Sequence, residues 1–170
     1  KTTAGRMERT GIMQKRDRIS AITISGYRDG ERQRIVDLLC DCGLHTEDIT
    51  RELLRDFILV RKGDDIVGVI GLEVTGADAL VRSLAVRQSY RGQGIGKKLT
   101  SAIERHARAR GVQVLYLLTL TAEDFFIAQG YRHSDRSTAP ESIKATLEFR
   151  SLCPQNAVCL RKRVRPAETH

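Results

Sequence analysis

Leu84-Ala85-Val86-Arg87-Gln88-Ser89-Tyr90-Arg91-Gly92-Gln93-Gly94-Ile95-Gly96 is the stretch on which the fold turns. An apolar run that reads as the end of a strand is followed by a glycine-spaced loop. Behind it Leu99, Ala102, Ile103 and Ala107 recur at helical spacing, with Gly111 as the stop. Backbone N–H groups therefore converge on the first turn of a helix, where an anion can sit. Two familiar phosphate-binding patterns do not fit. A P-loop needs G-x-x-x-x-G-K-[ST], but Arg91 stands five before Gly96 and Lys98 follows Lys97. A dinucleotide fingerprint needs G-x-G-x-x-G, but Lys97 stands where its last glycine would be. What remains is R-x-x-G-x-G from Arg91 to Gly96, a spacing that suits a pyrophosphate. A turn whose glycines serve close packing is the alternative.

Upstream of the loop, strands are expected at 21–25, 57–61, 66–74 and 79–86. The short polar link Gly63-Asp64-Asp65 marks a hairpin. Between the first two strands lies a helix with Ile35, Val36, Leu38 and Leu39 on its apolar side, closed by Gly43. A second helical segment opens at Thr46-Glu47-Asp48. Downstream, 96–110 reads as a helix, 112–120 as a buried strand, 121–129 as a short helix stopped by Gly130, and 131–135 as another strand. Thr138 and Glu141 have the spacing of a capping box around Pro140, which predicts a helix from there to about Phe149. A last strand covers 157–163.

At 170 residues, 41% of them hydrophobic, the chain can bury one ordinary core. Its net charge of +8 is mostly terminal, because residues 1–20 carry +4 and residues 161–170 carry +3. The first is read as a flexible basic leader and the globular domain as 21–165. Between them there is no basic stripe, which argues against a nucleic-acid partner. No apolar run approaches a membrane span, so a cytoplasmic location and no membrane partner are expected. Cys40, Cys42, Cys153 and Cys159 repeat no zinc-ligand spacing, and reduced thiols with no metal are expected.

From Leu84 to Gly96 the chain resembles the acetyl-CoA motif of the GNAT N-acetyltransferases. Ala122 to Tyr131 adds a likeness to that family's helix with an aromatic pair, ended by glycine and an aromatic. The resemblance covers roughly 21–163 and implies an α/β fold: a central, twisted, mostly antiparallel mixed sheet with helices on both faces. It implies acetyl-CoA as cosubstrate, bound by Leu84, Ala85, Val86, Arg91, Gly92, Gln93, Gly94, Ile95, Gly96 and Lys97. Phe125 and Phe126 would pack the cofactor arm. The family's tyrosine that protonates the departing thiolate is replaced here by Phe126, so that proton must come from elsewhere.

Glu73 is the candidate general base, at the end of an apolar strand and alternating with Val67, Val69 and Gly71. A strand-end glutamate that meets solvent or an arginine is the competing account. Arg82, alternating with Leu80 and Leu84, and its neighbour Ser83 are candidate substrate-binding residues. An arginine among apolar positions needs an anion, either on the substrate or on an internal acidic side chain.

The segment 136–156 is longer than the usual GNAT link there. Its runs Thr138 to Ile143, Glu148-Phe149 and Ser151 to Pro154 resemble the arsenic-resistance N-acetyltransferase subgroup. That likeness implies a small-molecule amine as substrate, of the class of amino acids and amino-acid antibiotics. Cys153 is either a trivalent-arsenic ligand or a buried structural thiol. Homodimerisation stays open. The alternatives are a GNAT acting on a protein or polyamine amine, and a non-catalytic acyl-CoA-binding module.

Overall fold

The computed structural model describes residues 21–165; the leader expected over 1–20 lies outside the described residues. The apolar runs become strands β1 (Ile22–Gly26), β2 (Phe57–Lys62), β3 (Asp65–Thr75), β4 (Asp78–Val86), β5 (Val114–Thr119), β6 (Arg132–His133) and β7 (Val158–Arg163). The helices are α1 (Arg32–Asp41), α2 (Arg51–Leu54), α3 (Ile95–Ala109), α4 (Glu123–Ala128) and α5 (Glu141–Lys144). All seven strands form one sheet in the order β1-β2-β3-β4-β5-β7-β6. Neighbours are antiparallel except β4 and β5, which run parallel as a strand–helix–strand crossover through α3 requires. The architecture is therefore the expected α/β mixed sheet.

Helix α3 owes its place to a stripe of Ile95, Leu99, Ala102, Ile103 and Ala107, all buried on one face of the sheet. It lies close because β3 offers Gly68 beneath it. A Cβ there would come within 3.0 Å of both Ile95 and Leu99. The opposite face is covered by α1 and α2, whose Ile35, Leu38, Leu39 and Leu54 pack on Phe57, Leu59, Val69 and Ala85. The insertion 136–156 covers the rest of that face, with Ala139, Ile143 and Phe149 packed on Leu80, Tyr116 and Cys159. No helix among the described residues is long and apolar enough to cross a membrane.

Two strand irregularities change which side chains share a face, and both correct simple alternation. In β4 the register jumps, Gly71 standing opposite Arg82 and Val69 opposite Ala85, so that Ser83 and Leu84 share one position. Leu80 and Arg82 look toward the insertion, whereas Leu84 joins Ala79 and Val81 on the α3 side. Arg82 and Leu84 therefore do not share a face, because a bulge shifts the two-residue period by one. In β3 a second shift, opposite Val60 and Arg61, puts Val67 on the α3 side and leaves Val69 on the other. Glu73 keeps the face of Val69 but loses Val67 as a companion.

The insertion departs further from expectation. Only Glu141–Lys144 is α-helical, followed by a π-helical turn at Glu148–Leu152. The capping box does not form: the Thr138 hydroxyl donates to the carbonyl of Asp135 and closes a 3-10 turn instead. Packing explains the break. Ile143 and Phe149 are both buried in the same cluster, yet six residues apart on an α-helix they would point about 120° from each other. A break and a wider turn let both reach the core.

Candidate active site

Strands β4 and β5 pair only over Asp78–Leu80 with Val114–Tyr116. Past that point β4 stays with β3 and β5 with β7, and no pairing joins them. The sheet therefore opens into a wedge at the carboxyl ends of its two parallel strands, the place where open α/β sheets bind ligands. A cavity of about 300 Å³ fills the wedge. Ser83 and Leu84 line it from β4 and Leu117 to Thr119 from β5, with Phe126 beside them.

The wall at Ser83 is strained. Its φ is +56°, the only positive value at a non-glycine among the described residues. Such a conformation costs roughly 1–3 kcal/mol, and strain of this kind collects where backbone geometry serves a ligand. The bulge turns the β4 backbone at the cavity wall out of the ladder with β3, as a donor for an oxyanion must be turned.

Beside the wedge stands the glycine loop. Gly94 is the residue before α3, at φ +79°, and no side chain caps the helix. The first amides of α3 are thus uncapped, an arrangement that suits an anion. A Cβ on Gly92 or Gly94 would point into open space, and both take positive φ, so the loop is bent and open on the side facing away from the protein. Arg91 fastens its start, its Nε donating to the carbonyl of Val86 at 3.0 Å. Phe125 covers its end, where a Cβ on Gly96 would meet the ring at 3.4 Å. Phe125 in turn stands edge-on to Phe126, the centroids 5.1 Å apart, which ties loop to cavity. Ile95 is buried and anchors the first turn, while Gln93 and Lys97 are exposed. Ala85 is buried on the α1 side, and Val86 pairs with Gly68. A phosphate-bearing ligand fits this cradle.

Arg82 lines the cavity, but its guanidinium is already matched. It binds both oxygens of Asp48, at 2.5 and 2.6 Å, and its Nη1 donates to Glu73 at 3.1 Å. The Nε lies 3.0 Å from Glu148, and only 1% of the side chain is exposed. Burial opposes the charge, yet the three carboxylates outweigh it and hold the pKa above the ordinary arginine value. Internal carboxylates therefore meet this arginine on every side. Glu73 does not line the cavity and instead joins this cluster, through a hydrogen bond from Arg82, with about a quarter of its side chain in solvent.

Spacing in the sequence singles out neither Asp48 nor Glu148 for any chemistry. Glu148 lines the cavity and is mostly buried. Burial pushes its carboxyl above the usual range and Asp48 and Glu73 add to that, against the pull of Arg82 and of the Cys153 thiol. Cys153 donates to Glu148 Oε1 at 3.6 Å, and burial with that neighbour pushes the thiol up to about 12. Tyr131 is only 1% exposed and stands edge-on to Phe126, and burial, with Glu104 beside it, raises the pKa of its hydroxyl. The signal for the cluster was present in one place, the lone arginine of β4, which had to find carboxylates somewhere.

Residues 54–133 match the family profile described as acetyltransferase (GNAT) domain. An uncharacterised N-acetyltransferase of Chlorobaculum tepidum is 29% identical over 109 residues, 64% of this chain and 68% of the relative. An amino-acid acetyltransferase of Pseudomonas fluorescens is 30% identical over 95 residues, 55% of this chain but 22% of the relative. Among solved structures, N-acetylglutamate synthase of Neisseria gonorrhoeae, crystallised with coenzyme A and N-acetyl-glutamate, superposes with a TM-score of 0.75 at 19% identity. That match covers 85% of this chain and 35% of the synthase, so it shares the fold over about a third of the larger chain. Residues 54–133 thus match an acetyltransferase (GNAT) domain, and the fold around them is that of the solved GNAT structures.

Proposed function

We propose that the protein transfers an acetyl group from acetyl-CoA to the primary amine of a small molecule. The observation that carries this is the wedge between β4 and β5, with the strained Ser83 in its wall and the uncapped amino end of α3 beside it. The pyrophosphate of CoA would rest on the amides from Gly92 to Lys97, where the glycine side is open. The pantetheine arm, itself an amide chain, would lie along Leu84 to Val86 in the unpaired gap, much as an added strand does. Phe125 and Phe126 would flank it. The acetyl carbonyl would then meet the bulged backbone at Ser83 and Leu84, where fixed donors favour the oxyanion. A thioester is already activated, so the remaining work is to orient a deprotonated amine and take up its proton.

An amino-acid acceptor, including an amino-acid antibiotic linked to arsenic resistance, is the second reading. The names of two relatives and the likeness of 138–154 to the arsenic-resistance subgroup favour it. The engagement of Arg82 with three carboxylates weighs against it, since that guanidinium is not free for the acceptor's carboxylate.

One assay tests the whole: thiol release from acetyl-CoA with amino acids, apolar amines, polyamines and peptides as acceptors. Amine-dependent release is the expected result. Tight acetyl-CoA binding without turnover on any amine would instead favour an acyl-CoA-binding module.

A further inference from the structure

Arg82 is surrounded by more negative charge than it can match. Three carboxylates, Asp48, Glu73 and Glu148, share one buried guanidinium. With all three ionised, two negative charges remain uncompensated, which a largely dry site tolerates only with a proton or a second cation. The three are not equivalent. Asp48 takes the two shortest, bidentate bonds, and Glu73 accepts an aligned hydrogen bond and has a quarter of its side chain in solvent. Glu148 has neither. Its Oε2 lies 3.0 Å from Arg82 Nε but carries no aligned hydrogen bond, and its Oε1 meets only the weak donor Cys153. Among the described residues it is also the only carboxylate that lines the cavity.

The other walls say what accompanies the charge. Val81, Leu84, Leu117, Leu118, Phe126 and Pro154 are apolar. The cation-capable groups in the lining are Arg82, which is fully engaged, and His45, nearly half exposed and 3.7 Å from Glu47. Nothing in the described lining is free to match an anion deep in the cavity.

We propose that Glu148 receives the ammonium of the acceptor, and that the acceptor is a primary amine on an apolar body with no anionic group. This rests on the acetyltransfer reading above and names its substrate class. The ammonium supplies the cation that the cluster lacks. Glu148 then takes one proton from it, which leaves a neutral amine with its lone pair free. The nitrogen attacks the acetyl carbonyl carbon, the C–N bond forms, and the C–S bond breaks with its electron pair on sulfur. The second proton leaves the nitrogen for the thiolate, giving the amide and CoA thiol, and the proton on Glu148 returns to solvent. Arg82, Asp48, Glu73 and Cys153 are the charged and titratable groups facing Glu148, and they position it.

Two measurements on the full chain test this. With wild type, kcat/KM is compared for matched pairs, phenethylamine against phenylalanine and isopentylamine against leucine. The amine of each pair should win by at least about tenfold. With Glu148→Gln, kcat/KM for the better amine should fall about a hundredfold at neutral pH, the size usual for losing a proton acceptor. The deficit should shrink toward the amine's own pKa, while acetyl-CoA affinity stays as it was. Glu148→Asp, which keeps the charge, should recover part of the rate and stands in if the glutamine variant melts early. Amino acids winning both pairs, or Glu148→Gln with unchanged kcat/KM and pH profile in a folded protein, overturns the proposal alone. Wild type that turns over no amine at all removes the acetyltransfer reading beneath it.

Discussion

The glycine loop and the insertion that closes the cavity are built by different means. From Arg91 to Gly96 the chemistry belongs to the backbone: bends at Gly92 and Gly94, and helix amides with no cap. The geometry is set by residue types a few positions apart. In the insertion the site is made of side chains, and Glu148 is set by its burial beside Arg82, 66 positions earlier in the chain. The loop would be much the same loop in another protein of this fold. Glu148 without Arg82, Asp48 and the cavity would be a surface carboxylate. Local spacing writes a backbone site, whereas a buried ionic site is written by what meets across the fold.

That contrast can be broken at its joint. Arg82→Ala strands three carboxylates in a buried place, and removal of one member of such a set costs about 3–5 kcal/mol. Urea unfolding should show a loss of that size, while the folded variant still binds acetyl-CoA. Loss of CoA binding along with stability would show that the two regions are not separate.

Gly94→Asp attacks the other side. The position has φ +79° and lies where an anion would approach, so a carboxylate there repels phosphate and strains the turn. Saturating CoA at a hundredfold excess over Kd should stabilise the wild type by about 2.7 kcal/mol, and the variant not at all. Equal thermal shifts for the two would refute the loop assignment.

Gly68→Ala asks how firmly α3 is seated. Its Cβ would come within 3.0 Å of Ile95 and Leu99, and overpacking of this sort costs roughly 1–3 kcal/mol. Because Ile95 opens the helix, CoA affinity should fall as well; a stability loss with affinity intact would separate helix seating from ligand binding.

The smallest effect concerns Cys153. A thiol pushed up to about 12 binds its proton more firmly folded than unfolded, where its pKa is near 9.0. Its contribution to stability is therefore complete below about pH 9 and is lost as pH rises toward 12. Alkylation followed by mass spectrometry should find exposed Cys40 modified well before Cys153 at pH 8 to 9. Equal rates would mean that the Glu148–Cys153 contact is open in solution.

Much of the fold was legible because it rests on periodicity. Ile95, Leu99, Ala102, Ile103 and Ala107 predict α3 and its buried face, and Gly63-Asp64-Asp65 predicts the β2–β3 hairpin that the structure shows. The strand faces were less legible. A bulge leaves no mark in the pattern, so Arg82 and Leu84 looked like companions although they stand on opposite faces. The insertion defeats local spacing for a related reason. Thr138, Pro140 and Glu141 carry a sound local signal for one long helix, and the burial of both Ile143 and Phe149 overrode it.

By itself the sequence determined the strand and helix order, the R-x-x-G-x-G loop and the need of Arg82 for an anion, since each follows from residue type and short spacing. Tertiary structure alone decided which anions Arg82 would find, that Glu73 would lie off the cavity, and that Glu148 would line it. The physical reason is range. Backbone conformation answers to neighbours within a few residues, whereas the pairing and desolvation that give a buried carboxylate its character depend on groups brought together only when the sheet and the insertion close over them.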